Sequence, residues 1–342
     1  MNTIKNSTER ILLSHGSGGE MMHKLISDVI LKYSDSSESN SLDDAAELLM
    51  NGRHIAFSTD TFVVKPVFFP GGDIGTLAVS GTVNDLLMKG ARPAYLSLGF
   101  VLEEGFPVED LKRILESIGQ TCRRAGVSIV TGDTKVVGRG EADSIFINTA
   151  GVGDIIPGVQ ISGSNAHSGD SVIVSGTIGR HGVAVMGERN GLKLKGDIVS
   201  DAAPLNEVVI PLLEKFKEKI HILRDPTRGG VATTLNEIAR SSGCGIAIEE
   251  LAIPVDNAVQ AVCEILGFEP LYLPCEGRFL SVVDGAFTDE IISFLREETG
   301  CRQASVIGKI IASTPGTVQL HTLSGGKRII DMPSGELLPR IC

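Results

Sequence analysis

The sequence predicts a mixed α/β protein, closer to α+β than to one doubly wound sheet, in two domains. Three observations carry that expectation. Strand-like and helix-like stretches alternate in both halves, without a strict βαβα order. A polar, glycine-rich stretch over 153–169 separates the halves. The chain has 342 residues, and at roughly 150 residues per domain that suits two.

The elements follow in order. Residues 34–41, SDSSESNS, read as a loop, and 54–58 as a strand. Helical spacing over 75–89 is closed by Gly90 and Pro93. A strand is expected at 95–101 and an amphipathic helix at 108–125, stopped by Gly126. Residues 127–130 read as a short buried strand, and 144–152 as another. In the second half strands are expected at 171–175, 245–249, 279–283, 306–311 and 318–323, and helices at 208–219, 231–240, 257–266 and 289–298, with 220–223 leading into the Arg224–Gly230 motif. The implied division is an N-terminal glycine-rich segment 1–40, domains at 41–157 and 165–331, and a tail 332–342 with two prolines and no periodicity.

Composition narrows the function. Lys and Arg number 31 against 42 Asp and Glu, a formal charge of −11. That argues against a broad nucleic-acid face or an anionic membrane surface. No apolar run reaches the length of a membrane span. The polar start MNTIKNSTER has no apolar core of a secretory signal, so a cytoplasmic location is expected. Aromatics are 4% with no Trp, which weakens any base-stacking role. The six cysteines form no C-x-x-C pair, so neither a zinc thiolate site nor a disulfide scaffold is expected.

Glycine is abundant, 40 residues, in clusters such as Gly16-Ser17-Gly18-Gly19 and Gly229-Gly230. Neither G-x-G-x-x-G nor a P-loop is present. Instead, acidic residues recur at turn positions: Asp43 and Asp44 before an expected helical stretch, Asp60 after a strand, Asp85 in a helix, Asp133 after a strand and Asp225 before a helix. Each alone reads equally as a cap or turn former. Together, with Thr, Lys or Arg close behind Asp60, Asp133 and Asp225, they suit Mg–ATP held without a P-loop. The Gly16–Gly19 turn offers free amides to phosphates, and Pro226 is expected at the first position of a helix whose amides face an anion.

Long strings, among them LSHGSGGEMM, FSTDTFVVKPVFFPGGDIG, IVTGDTKVV, LRDPTRGGV and the ending LPRIC, resemble the HypE family of hydrogenase maturation proteins from about Leu12 to Cys342. That family lies in the superfamily of aminoimidazole ribonucleotide synthetase, selenophosphate synthetase and thiamine monophosphate kinase (PurM-like). The resemblance implies two α/β domains per chain, a homodimer whose N-terminal sheets share a barrel, and a flexible tail. It implies carbamoyl transfer onto Cys342 by the carbamoyltransferase HypF. ATP-dependent dehydration of the thiocarbamate to a thiocyanate would follow, then delivery of cyanide to iron on a HypC–HypD complex. By position it assigns Mg²⁺ to Asp43, Asp44, Asp60, Asp85, Asp133 and Asp225. The nucleotide falls to Gly18, Gly19, Thr61, Lys65, Gly132, Thr134, Asn148 and Arg228. The chemistry falls to Cys342, Lys135 and Glu276, with His15 an alternative base. A selenophosphate synthetase would carry a reactive Cys in the glycine-rich segment, but the first here is Cys122. A kinase has no use for a terminal Cys, and unpaired cysteines argue against a metal-carrying scaffold. The tail spans at most about 36 Å, enough to reach inward and outward.

Overall fold

The computed structural model describes residues 10–34, 43–192, 198–335, 338 and 340–342; the loop expected at 34–41 lies outside these except for Ser34. In chain order the helices and strands are α1 Glu20–Leu25, α2 Leu31–Tyr33, β1 Ala46–Met50, β2 Arg53–Phe62, β3 Phe68–Phe69, β4 Gly72–Asp73, α3 Ile74–Met88, β5 Ala91–Glu103, α4 Val108–Ala125, β6 Ser128–Val137 and β7 Ile145–Ile155. Then come β8 Ser171–Val174, α5 Arg180–Arg189, α6 Asn206–Phe216, β9 Ile220–Arg224, α7 Gly230–Ser242, β10 Gly245–Glu249, α8 Asn257–Leu266, β11 Leu280–Val283, α9 Thr288–Glu297, β12 Ser305–Ile311, β13 Val318–His321 and β14 Lys327–Ile330.

The first domain is a five-stranded sheet, β1-β2-β7-β5-β6, in which only β5 and β6 run parallel. Helix α3 packs on β2, β5 and β7, and α4 packs on α3. Thirteen of the fifteen residues of α3 are buried. It is buried on nearly every side because the sheet takes one side and the second domain, through α6 and β9, another. Asp73 caps it, accepting from the Thr76 amide at 2.8 Å. Helix α4 is amphipathic, so only Ile114, Ile118, Thr121, Cys122 and Ala125 are buried; it ends at Gly126 with φ 70°.

The second domain is a seven-stranded sheet, β14-β13-β10-β12-β8-β11-β9. Both faces are covered, which is why every residue of β8 and β11 is buried. Ile173, Leu223 and Val283 share one core with Val209 and Leu212 of α6 and Ile291 and Leu295 of α9. Val172, Ile222 and Val282 share another with Val231 and Leu235 of α7. The alternation along each strand sends neighbours to opposite cores.

Several expectations are corrected. Asp43 and Asp44 precede β1, not a helix. The short buried strand at 127–130 is the ten-residue edge strand β6, exposed almost throughout; its Val and Ile content signals strand but not what covers it. Pro226 lies in the loop ahead of α7, which opens at Gly230. Helices α1 and α5 and strands β1 and β14 were not anticipated.

The sheet face of the first domain opposite α3 carries no covering element among the described residues. Phe57 and Tyr95 are 39% and 53% exposed there.

Candidate active site

The carboxylates gather where the two domains meet. A cleft of about 240 Å³, partly open to solvent, is lined by Asp43, Asp44, Asp60, Asp85, Asp225 and Glu276. Arg224, Arg228 and Cys342 line it as well. These positions span most of the sequence. β2 supplies Asp60, α3 supplies Asp85, and the loop after β9 supplies Asp225. The close seat of α3 on β2 requires Gly81, since a Cβ there would stand 2.8 Å from the Phe62 ring.

Charge is out of balance. Arg224 reaches Asp44 at 2.8 Å and Glu237 at 2.6 Å. Arg228 stands 3.7 Å from Asp60. Six carboxylates, Asp44, Asp60, Asp85, Asp225, Glu237 and Glu276, thus face these two guanidiniums, and three of their oxygens, Asp44 Oδ2, Asp225 Oδ2 and Glu276 Oε1, are buried without a hydrogen-bond partner. Burial, reinforced by Asp225, Asp60 and Asp44, pushes the Asp85 carboxyl well above its usual range. Burial and Asp44 do the same to Asp225, and burial with Asp225 and Asp60 to Glu276. Asp44 is pushed up to about 6 by burial, against the pull of Arg224. Such a nest of hard oxygens holds its charge only beside a cation, and its donor set fits a divalent ion such as Mg²⁺.

Asp43 is different from its neighbour. It accepts from Lys89 at 2.9 Å and from the Gly163 amide at 2.9 Å. Burial alone would raise its carboxyl; these partners outweigh that and hold it below its ordinary value. Its oxygens lock the inter-domain segment and are already committed.

The tail is docked inward. Cys342 lines both the cleft and an adjoining cavity that also contains Thr61, Arg228, Gly229, Arg340 and Ile341. Residues 340–342 pair with the chain after β2: the Val63 amide donates to a main-chain oxygen of Cys342 at 3.2 Å, and the Lys65 amide to the carbonyl of Arg340 at 3.2 Å. Asp143 accepts from Lys65 at 2.7 Å and also from Arg340. Arg189 donates to the Arg340 carbonyl at 2.6 Å. His181, fully buried, donates from Nε2 to the Ile341 carbonyl at 2.8 Å, while its Nδ1 accepts from the Ser200 hydroxyl at 2.8 Å. Burial keeps this imidazole below its ordinary pKa and therefore neutral, which fixes that tautomer. The docked thiol is pushed far up by burial and by Glu276.

The glycine-rich turn closes over one side. Gly18 has φ 78°, and a Cβ there would stand 2.5 Å from Arg228 Cβ; one on Gly19 would stand 2.3 Å from the Pro333 carbonyl. Gly18 lines the cleft. His15 instead bonds back to Leu12 and lines neither cavity.

Four expected residues stand elsewhere within one chain. Gly132, Asp133, Thr134 and Lys135 lie on β6, where Asp133 and Lys135 pair with each other at 2.7 Å and are 69% and 67% exposed. The register Thr61↔Asn148↔Gly99↔Asp133 puts three strand spacings, about 14 Å, between Thr61 and Asp133. Asp133 is therefore not brought to the other carboxylates of its own chain. Asn148 bonds Thr61 at 3.0 Å on the open sheet face, and Lys65 serves the tail. Sequence reasoning missed Glu237 and His23, which pair at 2.9 Å beside Arg224. It also missed Ser58, which donates to Asp85 at 2.6 Å, and His181.

Comparison with known proteins identifies the family. Residues 42–155 match the family model for the AIR synthase related protein, N-terminal domain, and residues 167–321 match the C-terminal domain. The carbamoyl dehydratase HypE of Azotobacter vinelandii is 46% identical over 328 residues, 96% of each chain. A crystal structure of the hydrogenase maturation protein HypE in complex with ATP matches with TM-score 0.82 and 46% identity, covering 97% of this chain and 100% of that one. A HypE–HypF complex matches with TM-score 0.85 and 46% identity, covering 90% and 99%. With two AIR synthase related domains in order and near-complete coverage by such relatives, the chain belongs to the carbamoyl dehydratase HypE family of hydrogenase maturation proteins.

Proposed function

We propose that the chain dehydrates an S-carbamoyl group on its own Cys342 to an S-cyanate, using ATP. The observation that carries this reading is the seat of Cys342, at the junction of two cavities beside Glu276, Arg228 and Asp60. The overall change is thiocarbamate plus ATP to thiocyanate, ADP and phosphate. The carbamoyl oxygen takes the terminal phosphoryl group, the nitrogen gives up its protons, and phosphate leaves with the oxygen.

The residues suit those steps. Glu276 has an unpartnered, buried oxygen and an affinity for protons raised by its surroundings, which matches a base for the carbamoyl nitrogen. Arg228 stands over the cleft to neutralise charge developing on the phosphoryl oxygens. Asp44, Asp60, Asp85 and Asp225 would hold Mg²⁺, which when bound screens the triphosphate. The Gly18 turn and Thr61 line the space beside them.

The docked thiol is a poor nucleophile, because burial and Glu276 keep it protonated. Loading therefore belongs to an undocked tail. A HypF-type carbamoyltransferase is the donor in this reading, supported by the HypE–HypF complex among the similar structures. A HypC–HypD iron complex is the acceptor of the cyano group. The open sheet face bearing Phe57 and Tyr95 would be covered by a second copy of the chain, and Asp133 and Lys135 would act in that assembly. Glu276→Gln tests the chemistry: its tail should load with carbamoyl and stop there, as read by mass spectrometry. Dehydration at the wild-type rate would remove Glu276 from the mechanism.

A further inference from the structure

We propose that His167, Asp170 and His221 form a second metal site, separate from the cleft, for one divalent transition-metal ion of the zinc class. One nitrogen of each imidazole and one Asp170 oxygen lie within 4.8 Å of one another. The site is held by backbone: the His167 amide donates to Asp170 Oδ2 at 2.8 Å, and the Asp170 amide donates back to the His167 carbonyl at 3.0 Å. The Gly169 amide donates to the Ile310 carbonyl at 2.9 Å, and the Ile310 amide donates to that of Asp170 at 2.9 Å, which pins this turn to β12. Asp170 is nearly buried, with 7% of its side chain exposed, and sets the position of His221 through a 2.7 Å hydrogen bond from Nδ1. The two rings stand 5.1 Å apart at 82°.

The donor set decides the ion. Two imidazoles and one carboxylate are the ligands of zinc and its neighbours, whereas Mg²⁺ prefers oxygen. His167 is 72% exposed, so solvent reaches the remaining coordination position. An ion here replaces the shared His221–Asp170 proton and ties the turn before β8, at the start of the second domain, to β9. His221 lies four residues before Asp225, about 13 Å along the strand, so the site is distinct from the cleft carboxylates.

The test uses the full-length chain, freed of metal with a chelator and titrated with ZnCl₂ in excess Mg²⁺. One Zn²⁺ per chain is expected to bind, and Cys342→Ala is expected to leave this unchanged. His167→Ala, an exposed truncation that leaves the fold intact by circular dichroism, should weaken it at least about tenfold. Co²⁺ should give d–d absorption without a thiolate charge-transfer band. Equal Zn²⁺ affinity in His167→Ala and wild type, or a thiolate band lost on Cys substitution, would overturn the proposal.

Discussion

Asp225→Asn should stabilise the ligand-free chain while weakening its hold on Mg–ATP. Asp225 is 6% exposed, its Oδ2 has no partner, and its carboxyl is pushed up by burial and by Asp44. In the ligand-free state it is therefore a cost. A buried carboxylate left without a partner costs more than the ~1–3 kcal/mol of a neutral polar group, and Asn removes that excess, together with the repulsion from Asp44, with almost no change in shape. For a domain of this size each kcal/mol moves the midpoint by about 2–4 °C. A rise of several degrees is expected in calorimetry without nucleotide. With Mg–ATP present the variant should lose most of the ligand-induced rise seen in wild type, because a ligand adds stability only in proportion to its binding. A lower midpoint without nucleotide, together with undiminished Mg–ATP binding, would refute the account of the cluster as a cation site held at a stability cost.

Three further outcomes are expected. Asp143 is held below the usual carboxylate range by hydrogen bonds from Lys65 and Arg340. Because its folded pKa is lowered, its contribution to tail docking is complete above the ordinary carboxylate pKa and is lost as pH falls through the lowered value. Alkylation of Cys342 should therefore quicken below pH 4 relative to the thiol's intrinsic reactivity, and Asp143→Asn should bring that release to neutral pH. Gly18→Val should drive the N-terminal turn off Arg228, since its φ of 78° and the 2.5 Å approach leave no room for a side chain. Limited proteolysis within residues 10–34 should report it, with the midpoints of the two sheets unmoved. Sedimentation at micromolar concentration should show a dimer, and Tyr95→Lys, on the open sheet face, should shift it to monomer.

Much of the fold was legible where local signals agree. Helix α4 was read to the residue because its apolar stripe sits between Pro107 and a left-handed Gly126. Helix α8 was read likewise, ending at Gly267 with φ 72°. Helices α1 and α5 were missed: α1 buries no residue, and α5 opens at a left-handed Gly179 without a side-chain cap. Strand β6 shows the deeper limit, for its apolar residues look like a core strand and only the assembled sheet reveals an edge.

The site divides in the same way. Asp44, Asp60, Asp85 and Asp225 were found as a scatter of turn-associated carboxylates that the fold gathers. Asp43 is indistinguishable from Asp44 in sequence, yet Lys89 and the Gly163 amide claim it. The Asp-Thr pair at Asp133 matches that at Asp60, but its strand lies three spacings away. Glu237 and His23 look like ordinary positions on helix surfaces; only their pairing around Arg224 marks them.

The central claim is that Cys342 is the group on which the chemistry occurs. Mass spectrometry of the C-terminal peptide, after incubation with a carbamoyl donor enzyme and then with Mg–ATP, tests it directly. The account predicts a carbamoyl adduct on Cys342 that loses one water only when ATP is added. An adduct that persists unchanged with ATP, or cyanide delivery by Cys342→Ser protein, would contradict it.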